Sequence, residues 1–363
     1  MVKTKFKIKL NTTGNTTVNS TNKLRTLPPL LLALAMVTAA CGSSTEPSAQ
    51  GAQPTAAFTA AAKPQEQPGT RVQVRVALNG SLNPLLLAKE KDWLEERFSK
   101  LQADVLWSQF TSGPPLLEAV VSGRVDLSFL GDGAAITGIS NQLPFEVIGL
   151  LSEARQLNSI LVPSASGIGS IPDLKGRTIG LAKGTTSHVY LIKALQASGL
   201  TQEDVKLINL QFEDAQAAFE AGKLDAWVTI DPYVTVNVQQ KKAKALEVKT
   251  EIYAPVSMIV HNEFAKQHPE LVAEYLKLFK QALDWQNANL AEAAQIYSKH
   301  TKLPADILTT VLQRSSTRLS AYTPKALEAQ QATADILLAN RFLKKPVTFK
   351  DAVNNTYVEQ ALR

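Results

Sequence analysis

The chain has 363 residues, 45% of them hydrophobic and 19% charged, which excludes wholesale disorder and leaves room for about two domains of ordinary size. Six of its 38 Lys and Arg residues lie within 1–40, where no Asp or Glu occurs, so the rest of the chain carries 32 basic residues against 32 acidic. A neutral body lacks the cationic surface that a nucleic-acid backbone reader needs, and no nucleic-acid partner is expected.

The first 40 residues read as a secretory signal. A cationic start is followed by an apolar run at 30–40, too short to cross a ~30 Å hydrocarbon core as a helix but suited to a signal h-region. Thr38-Ala39-Ala40-Cys41 resembles a bacterial lipobox, with Thr38 standing where Leu is usual. Cys41 is the only cysteine. It therefore has no internal disulfide partner, and the body has neither a Cys nucleophile nor a Cys-based metal site. Cys41 is expected to be lipidated, with each buried methylene of the anchor contributing about 0.8 kcal/mol. Residues 42–70 are mostly Ala, Gly, Ser, Thr, Pro and Gln, with Phe58 their one bulky apolar side chain. Together with Cys41 this stretch (41–70) reads as a flexible tether.

From Arg71 onward, β-branched runs alternate with helical patterns, the mark of βα units. A strand is predicted over 72–78, ending at Asn79-Gly80-Ser81 before a helix near Pro84. A second is predicted over 177–181, ending at Lys183-Gly184-Thr185-Thr186-Ser187 before a helix over 188–198. Residues 119–132 align without gaps on 218–231. Gly123 matches Gly222, Asp126 matches Asp225 and Asp132 matches Asp231. Each copy reads as a helix end, a Gly cap, a short strand and an Asp opening the next element. Two similar α/β lobes facing a shared cleft are the expected arrangement. The last third is helical: Val272, Tyr275, Leu276, Phe279 and Leu283 make one apolar stripe over 269–286, with further helices predicted over 290–299, 304–314 and 325–339. These helices are expected to pack around the first lobe, and they carry no motif that informs on chemistry.

Several segments, in order, resemble a known family. Phe110-Thr111-Ser112-Gly113-Pro114-Pro115, Ser122-Gly123-Arg124-Val125-Asp126 and Gly131-Asp132 resemble the first lobe of aliphatic sulfonate-binding proteins of ABC importers. Lys183-Gly184-Thr185-Thr186-Ser187-His188 and Asp231-Pro232-Tyr233 resemble their second lobe. The resemblance implies a type II periplasmic binding fold, an α/β fold of two lobes with a central ligand cleft and a two-crossing hinge. Lobe I would be 71–163 plus 256–363, and lobe II would be 164–255. It also implies an exported, lipid-anchored receptor that closes on a small organic anion and delivers it to a permease with a separate ATPase, without a cofactor. Taurine, nitrate or a thiamin-pyrimidine precursor is the alternative ligand, and a sensory rather than transport role the alternative use.

A sulfonate is a permanent anion whose water must be replaced by aimed N–H and O–H donors. Gly184, Thr185, Thr186 and Ser187 at a helix start would supply them, as would Ser112 with Gly113 and Gly80 with Ser81. Each Ser or Thr also suits plain N-capping. His188 matches a family His and serves as either a structural hydrogen-bonder or a ligand contact. Asp132 and Asp231 read either as caps or as partners for a ligand ammonium, and Tyr233 as a cleft wall. Two departures touch the cleft: Gly133-Ala134-Ala135 where the family often has Pro-Pro, and Ile230 where it often has Trp. No Gly-x-x-x-x-Gly-Lys-Ser/Thr loop, Gly-x-Ser-x-Gly elbow or His-Glu-x-x-His pair occurs, and His188, His261, His268 and His300 are scattered. No catalytic residue and no metal site is expected.

Overall fold

The computed structural model describes residues 71–80, 82–153, 157–315 and 317–363. The signal segment, Cys41, the tether and Ser81 lie outside these residues. The chain begins with β1 (Val72–Asn79), α1 (Pro84–Glu90), α2 (Trp93–Lys100), β2 (Ala103–Phe110), α3 (Gly113–Val121), β3 (Leu127–Leu130), α4 (Asp132–Ser140) and β4 (Phe145–Ser152). It continues through β5 (Asn158–Pro163), β6 (Thr178–Leu181), α5 (Thr186–Ala197), β7 (Lys206–Asn209), α6 (Phe212–Glu220), β8 (Ala226–Ile230), α7 (Tyr233–Gln239) and β9 (Ala243–Ala245). After β10 (Val256–His261) come α8 (Asn262–Gln267), α9 (Pro269–Ala288), α10 (Leu290–Thr301), α11 (Ala305–Arg314), α12 (Pro324–Ala339) and α13 (Thr356–Ala361).

The strands form two five-stranded sheets of matching design. The first runs β2-β1-β3-β10-β4 and the second β7-β6-β8-β5-β9. In each, the first three strands are parallel and the fourth, β10 or β5, is antiparallel to its neighbours. β5 pairs with β8 through Asn158–Ile230 and Leu161–Trp227. The chain therefore crosses into the second sheet before Asn158, and the expected boundary after Pro163 moves back. The return crossing runs over 246–255, and the Ala254 amide donates to the Glu153 carbonyl at 3.3 Å, tying the two crossings together.

The repeat is the skeleton of this symmetry. Gly123 (φ 65°) and Gly222 (φ 70°) take the left-handed turn that ends α3 and α6, a conformation that favours glycine. Asp126 then accepts the Arg75 amide and Asp225 the Thr178 amide, both at 2.8 Å. One carboxylate in each lobe thus locks β3 or β8 to its parallel neighbour.

Burial follows the expected periods. Val74, Val76 and Leu78 of β1 enter the core on one sheet face and Ala77 that on the other, as a sheet covered on both sides requires. All five residues of the α9 stripe are buried against the first sheet. No helix among the described residues is long and apolar enough to cross a membrane.

Candidate functional site

The ends of β1, β2, β3, β4 and β8, with the turn that follows β6, line a cleft of about 350 Å³ between the two sheets, where α/β sheets bind ligands. Gly80, Ser112, Gly113 and Gly131 line it from the first lobe, and Thr185, Thr186, Asp231 and Tyr233 from the second. Ser81 lies outside the described residues.

Of the helices that begin at this cleft, α3, α4 and α5 have their starts side by side at one end. The first amides of any helix have no intrahelical acceptor, and the helix dipole makes its start favourable to an anion. The three are unequal. Pro114 and Pro115 follow Gly113 in the first turn of α3 and have no N–H to offer. Ser112 directs its hydroxyl across the cleft to Gln211 Oε1 at 2.9 Å. The anion-binding capacity therefore concentrates where α4 and α5 meet.

That meeting is too close for side chains. A Cβ on Gly131 would lie 2.3 Å from Thr186 Cγ2, and one on Gly133 would lie 2.8 Å from the Thr185 carbonyl oxygen. Glycine at 133, where the resemblance would place proline, lets the start of α4 abut the start of α5.

The hydroxyls in this turn are committed within the protein. Thr185 Oγ1 donates to the Ala182 carbonyl at 2.7 Å. Thr186 Oγ1 and Ser187 Oγ both donate to Asn158 Oδ1, at 3.2 and 3.0 Å. Ser187, expected as a ligand contact, is fully buried and does not line the cleft. Thr185 and Thr186 line the cleft, and α5 starts at Thr186, two residues earlier than expected. Gly184 (φ 79°) turns the chain and Thr185 is extended at the N-cap.

Gly184, His188 and Asp132 also lie off the cleft. Gly184 packs against Pro114. His188 is buried, with Nδ1 accepting the Gly184 amide at 3.3 Å, Nε2 at 2.7 Å from Gln202 Oε1 and its ring edge-on to Phe342. Burial holds its pKa below the ordinary range, against the opposing effect of the Gln202 bond. Asp132 sits fully buried in the first turn of α4, where Oδ1 accepts the Gly133 amide at 2.8 Å and Oδ2 has no hydrogen-bond partner. Burial pushes its carboxyl up to about 6, against the pull of the Lys193 ammonium. Lys193 is itself held low by burial; it donates to the Tyr253 carbonyl at 2.9 Å and Thr333 Oγ1 at 2.7 Å. Asp132 is a cap in the floor, out of reach of a ligand ammonium.

The opposite end of the cleft is closed by Asp231 and a residue that sequence reasoning missed. Asp231 Oδ1 accepts the Thr235 amide at 2.9 Å and its hydroxyl at 2.6 Å, capping α7. Its Oδ2 is 3.4 Å from Nη2 of Arg314, which also reaches Thr235 Oγ1. Arg314 lines the cleft from the last turn of α11, as do Gln286, Val311 and Leu312 from the same helical third. The sequence of that third carries no motif that informs on chemistry. A basic residue closing a predicted helix was its only signal, and nothing local says that α11 lies over the cleft. Tyr233 stacks on Phe212 (centroids 5.8 Å apart, 19° between planes) and donates its hydroxyl to Glu213 at 2.9 Å. Among the described residues no group of His, Asp or Glu side chains is arranged to hold a metal ion.

The model of the NMT1/THI5-like family matches residues 79–293. A Bacillus subtilis protein named "Putative aliphatic sulfonates-binding protein" is 36% identical over 292 residues, covering 80% of this chain and 88% of that protein. The taurine-binding periplasmic protein of Escherichia coli is 30% identical over 226 residues, covering 61% of this chain and 67% of that protein. Among solved structures, the alkanesulfonate-binding protein SsuA of Xanthomonas axonopodis pv. citri, bound to MOPS, is similar with a TM-score of 0.74 and 28% identity. It covers 78% of this chain, which in turn covers 98% of it. The two-sheet architecture is the periplasmic binding protein fold.

Proposed function

The chain belongs to the NMT1/THI5-like family, and on that basis we propose that it is the substrate-binding component of an ABC importer, capturing a small organic sulfonate between its lobes and delivering it to a permease. The observation that carries this reading is the convergence of the α4 and α5 starts, with that of α3 beside them, on one end of the cleft. A sulfonate stays ionised at all physiological pH, so its site needs fixed donors and no base. Backbone amides at helix starts meet that need without a counter-charge to desolvate.

Lobe closure would be the working motion, with ligand shifting the population toward the closed form. Two contacts bridge the lobes, from Ser112 to Gln211 and from Arg314 to Asp231. Binding without catalysis is supported by the lining: Asp231 and Glu213 are engaged by neighbours and His188 is buried elsewhere. Attachment through a lipid on Cys41, with 42–70 as a leash, follows from the sequence alone and would hold the body beside its permease.

Thermal melting with added ligands tests the reading. A ligand at about 1,000 times its Kd stabilises the protein by about 4 kcal/mol. Alkanesulfonates are expected to raise the melting temperature, and nitrate is not. A shift given only by nitrate or a thiamin-pyrimidine precursor would overturn the assignment.

A further inference from the structure

The cleft is larger and more apolar than a sulfonate headgroup requires. Beyond the helix starts its wall is formed by Leu82, Phe110, Phe129, Phe212, Ile230 and Tyr233. All but Phe212 are only half-buried, so this apolar surface faces water until something covers it. Phe212 and Tyr233 are stacked side by side on the wall. A cavity of about 350 Å³ falls in the range that encloses ligands with ring-sized apolar bodies, and methanesulfonate or nitrate would leave this wall wet.

The charges near the wall argue against a tail ammonium. The two carboxylates lining the cleft are Glu213 and Asp231. Glu213 accepts the Tyr233 hydroxyl, and Asp231 is held by Thr235 and Arg314. Asp132, the remaining acid near the helix starts, is sealed beneath the floor. An ammonium brought into the cleft would lose water and find both lining carboxylates already hydrogen-bonded by neighbours.

Resting on the sulfonate reading above, we propose that the ligand of this cleft is an organosulfonate whose tail is uncharged, apolar and about the size of an aromatic ring, an arenesulfonate in preference to an amino-sulfonate. The sulfonate lies at the starts of α4 and α5, and the ring lies along the Phe212–Tyr233 wall. Ile230 sets the length: a Trp there would fill the space in which the ring rests.

Calorimetric titration of the full-length protein with benzenesulfonate, methanesulfonate and taurine tests the proposal. Benzenesulfonate is expected to bind more tightly than methanesulfonate by at least about tenfold, as apolar pockets discriminate missing carbons, with taurine no tighter than methanesulfonate. Ile230→Trp should remove most of the benzenesulfonate advantage while methanesulfonate binding persists. Ile230→Ser, which makes the wall polar without adding bulk, should do the same where the Trp variant folds poorly. Equal affinities for the two sulfonates, tighter binding of taurine, or an unchanged preference in both variants would overturn the tail assignment and leave the sulfonate reading standing. Absence of binding by all three would overturn both.

Discussion

Arg314, the last residue of α11, reaches across the cleft mouth to Asp231 of the second lobe, with 3.4 Å between Nη2 and Oδ2. The bridge ties the C-terminal helices of one lobe to the cap of α7 in the other. It is half-exposed, and such pairs contribute at most about 1 kcal/mol. Arg314→Met is therefore expected to leave the melting temperature of the ligand-free protein nearly unchanged and to weaken ligand binding by no more than about fivefold, since each tenfold is 1.4 kcal/mol. Calorimetry measures the affinity, and small-angle scattering would show a less closed liganded form. Identical affinity and shape would mean that the pair is incidental to closure.

Gly133 gives a sharper test of the approach of α4 to α5. A Cβ at this position would stand 2.8 Å from the Thr185 carbonyl oxygen and 3.0 Å from that of Gly184. Backbone on both sides leaves nowhere for it to go, and overpacking of this kind costs about 1–3 kcal/mol. Ala134, Ala135 and Ile136 of α4 share one buried core with Val189 and Ile192 of α5, so Gly133→Ala should lower the melting temperature of the ligand-free protein and weaken ligand binding as well. A melting temperature equal to that of the unmodified protein would refute this.

Ser187 and Asn158 are predicted to matter for stability and not for ligand contact. Asn158 Oδ1 accepts two buried hydroxyls, those of Thr186 and Ser187. Ser187→Ala removes one bond and should cost about 1 kcal/mol, whereas Asn158→Ala leaves both hydroxyls unpartnered and should cost about 2 kcal/mol or more. Denaturant melts give the stabilities. A large loss of affinity in Ser187→Ala at unchanged stability would return this hydroxyl to the cleft.

Asp132 makes stability depend on pH in an unusual direction. Its carboxyl titrates near 6 in the folded protein, with burial the main cause, and near 4 in an unfolded chain. Between those values the folded form holds the proton that the unfolded form has lost, so stability falls as pH rises from about 4 through 6. Asp132→Asn abolishes this dependence. Relative to the unmodified protein the variant should gain up to about 3 kcal/mol above pH 7, a difference that fades below pH 4. The gain is reduced by whatever Lys193 loses when its carboxylate neighbour goes. Urea melts at pH 4 and 7.5 decide it, and a variant destabilised at pH 7.5 would show that Lys193 outweighs the cost of burial.

The sequence carried the lobes more clearly than the site. Gly123 and Gly222 mark the repeat because a left-handed helix end favours glycine, and Asp126 and Asp225 because each locks a strand. Those constraints are local, so they are legible without coordinates. Asp132 and Asp231 match in the same alignment yet differ in place, one sealed in the floor and one at the mouth, because tertiary packing decides what lies above each. The same holds for β5, whose partner β8 comes much later in the chain, and for Arg314, whose helix reaches the cleft only through the packing of the whole C-terminal third. Thr185, Thr186 and Ser187 were rightly placed at a helix start, but the destination of their hydroxyl protons depends on Asn158, which no spacing rule points to.

The place of β10 bears on how the protein is made. The second sheet is built from one unbroken stretch, Asn158 to Ala245, whereas the first has β10 inserted between β3 and β4. A chain emerging in order from its amino terminus delivers β1 to β4 with a strand-wide gap at the centre of their sheet, and the missing strand arrives only after the entire second lobe. The later half-molecule is therefore equipped to fold first, while the earlier one waits with unpaired edges on β3 and β4, the condition under which newly made chains aggregate. Whatever keeps β3 and β4 from pairing until Val256–His261 arrives would protect that incomplete sheet from closing on the wrong partner.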